Sequence, residues 1–181
     1  MMTENELTES LKQGDNTARE ELYRLFAPPM MSLCLRYLGN REDAEDALQD
    51  GFLQVFSIIG KFEWRGKGSL SAWLRRVFTN FVISRLRETK ISPAEDLDRI
   101  PDQPEDEAPP ENVSTDTILQ LISELPTGYR TVINLYLIEG WSHAEIAAKL
   151  HIGESTSASQ YLRGKKMLKE KITNYLKSLE Q

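Results

Sequence analysis

The sequence predicts an all-α fold in which two small helical domains, 1–90 and 115–181, are joined by an acidic, proline-rich linker. Apolar residues recur at spacings of three and four in both domains, and this is the periodicity of amphipathic helices. Residues 91–114 hold five prolines, eight acidic residues and one arginine. Such a segment cannot bury enough apolar surface to offset the entropy lost on ordering, so a flexible linker is expected there.

Helix breakers divide the first domain into its expected elements. The pair Pro28 and Pro29 is expected to interrupt the periodic pattern and to start a new helix directly after it. Two further helices are predicted at about 41–59 and 70–88. The residues between them, KFEWRGKGS, include two glycines and predict a loop.

The second domain contains a predicted helix-turn-helix. Short helices are expected at about 118–125 and 129–138, followed by a helix at 143–150 that begins with a capping box. A three-residue turn, 151–153, then leads into a long helix at about 154–179. Two helices joined by such a turn, the second becoming basic along its length, are typical of a DNA-binding helix-turn-helix.

The long last helix has a polar face suited to DNA. On a helical wheel this face lies opposite Ala158, Tyr161, Leu168 and Ile172. Its side chains are of the types that read base edges or bind phosphates. Its members are Thr156, Ser159, Gln160, Arg163 and Lys166. An ordinary amphipathic helix is the alternative interpretation of the same pattern.

The net charge of −6 conceals a strong segregation of charge along the chain. Basic and acidic residues number 5 and 11 in 1–60, 8 and 2 in 61–90, 1 and 8 in 91–114, and 8 and 7 in 115–181. A chain with this pattern can present an acidic surface to one partner and a basic strip to another. For any one segment alone, a solvated charged face is the simpler interpretation.

Aromatic and basic side chains alternate around the predicted loop of the first domain. Such a mixture suits unpaired bases, because rings stack on exposed bases while cations follow the phosphates. The residues concerned are Phe62, Trp64 and Trp73 with Lys61, Arg65, Lys67, Arg75 and Arg76. The alternative is that Phe62 and Trp73 belong to the core and the cations are merely solvated.

No motif indicates catalysis, a metal site or a cofactor. His143 and His151 lack Cys or carboxylate partners at metal-ligand spacing, and there is no glycine-rich phosphate loop or nucleophile elbow. Cys34 lies between two leucines, which indicates an inert buried thiol. Neither a secretory signal nor a run of about 18 apolar residues is present, so we expect a cytoplasmic protein without membrane insertion.

Three stretches of the chain, taken in order, resemble the extracytoplasmic-function group of the sigma-70 family, the bacterial RNA polymerase sigma factors. They are DAEDALQDGFLQVF, FEWRGKGSLSAWLRRVFTNFVISRLRE, and LPTGYRTVINLYLIEGWSHAEIAAKLHIGESTSASQYLRGKKMLKEKI. The resemblance covers roughly 18–90 and 115–172. It implies a sigma second domain and a sigma fourth domain on either side of the linker.

The resemblance also implies a role for each group of residues. The resemblance assigns docking on the clamp helices of the largest polymerase subunit to Asp46, Gln49, Asp50 and Leu53. Capture of a flipped base and melting of the minus-ten element fall on Phe62, Trp64, Arg65, Lys67, Ser69, Trp73, Arg76 and Asn80. Recognition of the minus-thirty-five element falls on Thr156, Ser159, Gln160, Arg163 and Lys166.

The expected function is therefore transcription initiation: binding to core polymerase and direction of that enzyme to promoters, without chemistry of its own. The implied partners are the polymerase clamp helices, the flap of its second-largest subunit, promoter DNA and an anti-sigma factor. A polymerase-independent helix-turn-helix repressor and a helical adaptor without a nucleic-acid role are the alternatives. The acidic stripe Asp43, Asp46, Gln49 and Asp50 and the aromatic-basic residues around the loop argue against the repressor. The basic residues of 61–90 and of the last helix would be unexplained in an adaptor.

Three positions depart from the usual family pattern. His151 stands where a glycine is usual in the turn, and histidine tolerates the left-handed conformation better than a branched residue does. Ala158 replaces a common Lys or Arg, which removes one expected DNA contact. Gly164 replaces a common Ala within the helix, at an expected cost of roughly 0.5 to 1 kcal/mol.

Overall fold

The computed structural model describes residues 2–88 and 113–179, in which every regular element is a helix. Contacts divide the chain into two compact units, Met1–Leu86 and Arg87–Gln181. The expected all-α class is confirmed. The predicted linker falls almost entirely on 89–112, outside the described residues, so its boundaries and flexibility stay a prediction.

The first unit contains four α-helices and one short 3-10 helix. They are α1 (Glu4–Lys12), α2 (Asn16–Leu38), α3 (Arg41–Ile58), the 3-10 turn Ile59–Lys61, and α4 (Ser69–Glu88). Side-chain caps fix where they start. A capping box between Thr3 and Glu6 begins α1, Asp15 caps α2, and Asn40 accepts a hydrogen bond from the Asp43 amide at the start of α3.

The expectation that Pro28 and Pro29 separate two helices is wrong, because α2 runs through both of them. Each proline removes one N–H donor from the helix. Both prolines are exposed, as are Arg24 and Leu25, whose carbonyls lose their helical partners, so water can satisfy those groups. The buried residues on either side of the proline pair belong to one face, and their burial outweighs the two lost hydrogen bonds.

The core of the first unit is built on α3. Its apolar stripe, Ala44, Leu48, Phe52 and Val55, is buried as the sequence predicts. Phe78 of α4 is fully buried, and its ring lies edge-on to Phe52 with centroids 5.2 Å apart. The same ring lies directly over Gly51, where a Cβ would be only 2.8 Å from Cζ of Phe78. A side chain at this position would therefore separate α3 from α4.

The second unit contains four α-helices and a π-helical turn. They are α5 (Thr115–Ser123), α6 (Thr127–Ile133), the π-helical turn Asn134–Ile138, α7 (His143–Leu150) and α8 (Glu154–Leu179). α5 begins three residues earlier than predicted because Ser114 caps it, accepting from the amide of Thr117 at 3.1 Å. The predicted helix over 129–138 changes hydrogen-bonding pattern midway, with the amide of Glu139 donating to Asn134 at 3.0 Å.

A hydrophobic cluster joins α5 and α6 to the long helix α8. Its buried members are Leu121, Ile122, Leu125, Ile133, Leu168 and Ile172. Buried Arg130 ties the α5–α6 turn together, since its Nη1 donates to the carbonyls of Ser123 at 2.8 Å and Leu125 at 3.0 Å. One guanidinium thus donates both to the carbonyl of the last residue of α5 and to a carbonyl of the turn that follows it.

The turn between α7 and α8 has the geometry that its sequence predicts. Ser142 and Glu145 form the expected capping box at the start of α7. His151 ends that helix in the left-handed region, with φ 57° and ψ 44°. It is the one non-glycine residue with positive φ in the described part of the chain. None of the described helices combines the length and apolar composition needed to cross a bilayer.

We predict that Gly51→Ala lowers the free energy of unfolding by about 1 to 3 kcal/mol, because the added methyl group must displace a fully buried ring. Gly60→Ala is the matched control, since a Cβ there meets nothing within 4 Å. Urea unfolding followed by circular dichroism measures both. Equal midpoints for the two variants would contradict the close packing at Gly51.

We predict that His151→Gly raises stability by about 0.5 to 1 kcal/mol, because glycine adopts positive φ without the steric cost that histidine bears there. Ala148→Gly, at an exposed position inside α7, should lower stability by about 1 kcal/mol. Thermal denaturation of both variants gives the comparison. Opposite signs are expected, and a loss of stability in both would show that the turn is not strained.

Candidate functional site

The exposed face of α3 carries the four residues predicted to dock on polymerase. Asp46 and Asp50 lie one turn apart, as do Gln49 and Leu53, and all four side chains are exposed. Leu53 is 67% exposed although it is apolar. An exposed leucine flanked by carboxylates has the composition of a protein-binding surface with an apolar centre and a charged rim.

Arg85 of α4 lies between the two aspartates of that face. Its guanidinium is 3.3 Å from a carboxylate oxygen of Asp50 and 3.9 Å from one of Asp46. The acidic surface is therefore partly neutralised from within the same unit. No local sequence pattern predicts this contact, because Arg85 and Asp50 are 35 positions apart.

Phe62 begins the loop between the 3-10 turn and α4, and its ring is buried. It is 4% exposed and packs against Trp73 of α4 with centroids 5.1 Å apart. Trp73 is half-buried. The expectation that the Phe62 ring is available to stack on a base is therefore wrong, because the ring anchors the loop to the helix.

The remaining side chains of the loop face solvent. We call residues 62–68 the aromatic-basic loop. Trp64 is 43% exposed, and Arg65 and Lys67 are exposed with it. Arg65 pairs with Glu63 at 3.2 Å, while its backbone amide donates to Oγ of Ser69 at 3.2 Å. An exposed indole beside two cations is the arrangement that binds an unpaired base and its phosphates.

The two other predicted minus-ten residues lie further along α4. Arg76 is exposed and Asn80 is half-buried. They are four residues apart, so they share a face of the helix. A nucleic-acid strand bound at the aromatic-basic loop would therefore meet a polar strip, Arg76 and Asn80, further along α4.

Glu4 of α1 contacts the end of the aromatic-basic loop, a contact that no sequence motif predicts. Its Oε2 accepts from the amide of Gly68 at 2.7 Å, and its Oε1 accepts from the amide of Leu70 at 2.6 Å. The carboxylate thereby caps the first turn of α4 from a separate helix.

The orientation of α8 differs from the helical-wheel prediction at one position. Gln160 is 4% exposed, and its amide atoms lie 3.5 Å from where a Cβ of Gly128 would be. Gln160 therefore lies on the packed side of α8, not on its outward face. The buried residues of α8 are Ser157, Gln160, Gly164, Leu168 and Ile172.

The opposite face of α8 includes an exposed apolar residue, Leu162, that is not among the predicted DNA contacts. Leu162 is 42% exposed and Lys166 is exposed, while Thr156, Ser159 and Arg163 are half-buried. The hydroxyl of Ser159 donates to the carbonyl of Thr156 at 3.0 Å. The sequence signal for Leu162 as a contact residue is that a leucine stands within a polar stripe, where a merely solvated face would favour a polar residue.

His143 and Cys34, whose side chains could be reactive, are held in packing contacts or buried. His143 is stacked on Tyr136 with centroids 4.5 Å apart, and its Nδ1 is 3.0 Å from Oγ of Ser157. Burial raises the pKa of the Cys34 thiol to about 12, which keeps it protonated and unreactive near neutral pH. No cluster of three or more His, Cys, Asp or Glu side chains suited to a metal ion occurs within the described residues.

Comparison with known proteins gives two family matches. The model for sigma-70 region 2 matches residues 22–91, and the model for sigma-70 region 4 matches residues 115–168. The chain is 31% identical over 175 residues to the ECF RNA polymerase sigma factor SigW of Bacillus subtilis, with 90% of this chain and 92% of that protein covered. The chain belongs to the ECF sigma factors of the sigma-70 family.

Other members of the family are similar over comparable lengths. An ECF RNA polymerase sigma-E factor of Haemophilus influenzae is 28% identical over 185 residues, covering 94% of this chain and 96% of that protein. A solved complex of the sigma factor RpoE with the anti-sigma factor NepR from Bartonella quintana matches with a TM-score of 0.46 and 21% identity, over 83% of this chain and 94% of that one.

The two matched regions of this sigma factor contain the surfaces described above. Region 2 includes the exposed face of α3, the aromatic-basic loop and α4. Region 4 includes the helix-turn-helix formed by α7 and α8. The matched family is that of sigma factors, which are not enzymes.

Proposed function

We propose that this sigma factor initiates transcription through three surfaces with separate tasks. The exposed face of α3 docks on core RNA polymerase, the aromatic-basic loop and α4 bind the minus-ten element, and α8 binds the minus-thirty-five element. The observation that carries the proposal is that the chain contains both a region 2 match and a region 4 match, in two compact units that each have exposed polar side chains.

Docking is proposed to use Asp46, Gln49, Asp50 and Leu53 against the clamp helices of the largest polymerase subunit. The carboxylates would steer the approach to a basic surface, and Leu53 would supply the apolar contact. Asp46 and Asp50 can exchange their contact with Arg85 for one with polymerase at little cost. Exposed ion pairs contribute only about 0 to 1 kcal/mol each.

Melting of the minus-ten element is proposed to work by trapping. Unpairing and unstacking a base costs a few kcal/mol. A loop that binds only the flipped base shifts that equilibrium toward the open state. Exposed Trp64 offers a stacking surface, Arg65 and Lys67 offer charge for the phosphates, and Arg76 and Asn80 would continue the contact along α4.

Minus-thirty-five recognition is proposed to use the outward side of α8, with Thr156, Ser159, Arg163 and Lys166. Gln160 is omitted because its side chain is buried against α6. Leu162 replaces it as a contact, because an exposed apolar side chain suits the methyl group of thymine. Family membership further leads us to propose that this domain binds the flap of the second-largest subunit and that an anti-sigma factor is a partner.

Run-off transcription with purified core polymerase tests the function. The chain should convert core enzyme, which starts at no defined site alone, into a holoenzyme that gives one discrete transcript from its own promoter. Binding of the isolated chain to duplex DNA as tightly as the holoenzyme, without any transcript, would instead indicate a polymerase-independent regulator.

We predict that Leu53→Asp lowers affinity for core polymerase by about tenfold or more, because an apolar contact is lost and a buried charge is introduced. Gln54→Asp is the control, since it makes the same charge change at the next exposed position of α3. Fluorescence anisotropy of labelled sigma factor titrated with core measures both. Unaltered helicity is expected, and equal affinities for the two variants would refute the assignment of this face.

We predict that Lys166→Ala weakens holoenzyme binding to all promoters about equally and reduces the slope of log affinity against log salt by about one unit, as loss of one phosphate contact requires. Lys177→Ala, in the exposed last turn of α8, should leave both quantities unchanged. The measurement is holoenzyme affinity for a set of minus-thirty-five variants at several salt concentrations. A changed sequence preference in Lys166→Ala would mean that this side chain reads a base.

A further inference from the structure

Glu4 makes the longest-range backbone hydrogen bonds described in the first unit. Its two carboxylate oxygens accept from the amides of Gly68 and Leu70, which are 64 and 66 residues away in the sequence. None of the tasks proposed above uses this side chain. The contact nevertheless joins the first helix of the unit to the loop that is proposed to capture a base.

The position of Glu4 is fixed by the packing of α1. Leu7 and Leu11 are buried, and α1 packs on α2 and on the 3-10 turn that precedes the aromatic-basic loop. The hydroxyl of Thr8 donates to the carbonyl of Glu4 at 2.8 Å. The capping box at Thr3 holds the start of the same helix. The carboxylate is thus presented to the loop by a rigid element.

The far end of the loop contains two glycines with positive φ. Gly66 and Gly68 have φ values of 117° and 87°, conformations that glycine adopts readily and leaves readily. The loop is held at its beginning by the buried ring of Phe62 and within itself by the bond from the Arg65 amide to Ser69. Two backbone hydrogen bonds cross the junction of the loop with α4, from the Ser69 amide to the Gly66 carbonyl and from the Ala72 amide to the Gly68 carbonyl, both at 3.1 Å. The carboxylate of Glu4 adds two hydrogen bonds there from a separate helix.

We propose that Glu4 is a positioning residue for base capture: it locks the end of the aromatic-basic loop onto α4 so that Trp64, Arg65 and Lys67 are arranged before DNA arrives. The proposal rests on the function proposed for that loop. Preorganisation increases affinity because the entropy of ordering the loop is paid on folding and not on binding.

The negative charge of Glu4 is compatible with a nearby nucleic acid. A carboxylate at a helix N-terminus interacts with the positive end of the helix dipole and with the free amides of the first turn. Both of its oxygens are occupied by those amides. Trp64, Arg65 and Lys67 are exposed to solvent, so phosphates can reach the two cations of the loop.

Glu4→Gln tests the proposal with a nearly isosteric change. A glutamine has one acceptor oxygen, and its amide group would face the second backbone N–H donor to donor. We expect hydrogen exchange at the Gly68 and Leu70 amides of the free protein to accelerate by about tenfold or more, the loss typical of a charge-assisted bond. The rate of open-complex formation on a duplex promoter should fall by a similar factor, with core affinity unchanged.

Glu9→Gln is the matched control, because Glu9 lies on the same helix and pairs only with exposed Lys12 in the described structure. The Glu9→Gln variant should show wild-type hydrogen exchange at the Gly68 and Leu70 amides and a wild-type rate of open-complex formation. Protection of the buried α4 amides of Val82 and Ile83 reports whether the fold survives. If the Glu4→Gln variant loses that protection, the test uses Glu4→Asp in its place, since aspartate keeps the charge but cannot reach both amides.

Two results separate failure of this proposal from failure of the function. Faster exchange at Gly68 and Leu70 together with wild-type promoter opening would overturn the positioning role while leaving the function intact. Unchanged exchange would overturn the lock itself. A wild-type chain that forms no open complex with core polymerase would refute the proposed function, and the exchange measurement would still decide whether Glu4 holds the loop.

Discussion

The contact of the Phe78 ring with the backbone of α3 at Gly51 determines how the first unit is arranged. The ring is fully buried, it also meets Phe52 edge-on, and no side chain could occupy the space between. α3 carries the face proposed to dock on polymerase, and α4 carries the strip proposed to follow DNA. Their spacing is therefore set by one close approach in the core, so the docking face and the DNA strip cannot shift independently.

The second unit depends on a similar approach between α8 and α6. A Cβ at Gly164 would be 2.7 Å from Cδ1 of Ile133 and 3.1 Å from Cβ of Tyr129. The departure from the family's usual alanine is thus more than a loss of helix propensity, because it lets the two helices approach closely here. This contact also sets the rotation of α8. With Gly164 and Leu168 inward, Gln160 is inward too and Leu162 is outward.

Local patterns predicted most of the fold. The apolar stripe of α3, the capping box at Ser142 and the left-handed turn at His151 depend on residues within a few positions of one another, and all were predicted correctly. The continuity of α2 through its prolines could not be predicted, since it depends on which side of the helix faces solvent. The site was predicted less fully. The burial of Phe62 and Gln160 and the contacts of Glu4 arise only when distant segments pack.

The segregation of charge explains how an acidic protein can serve a nucleic-acid partner. Asp46 and Asp50 lie near Arg85, and Glu4 accepts hydrogen bonds from backbone amides at the start of α4, so each of these carboxylates has a partner within the unit. Their fields are partly cancelled within the unit, whereas Lys67 and Arg76 remain exposed. The ion pairs with Arg85 and the hydrogen bonds of Glu4 differ in strength. The Arg85 pair is exposed and exchangeable, as docking on polymerase requires. The Glu4 contacts are charge-assisted bonds to backbone, as a permanent support for the aromatic-basic loop requires.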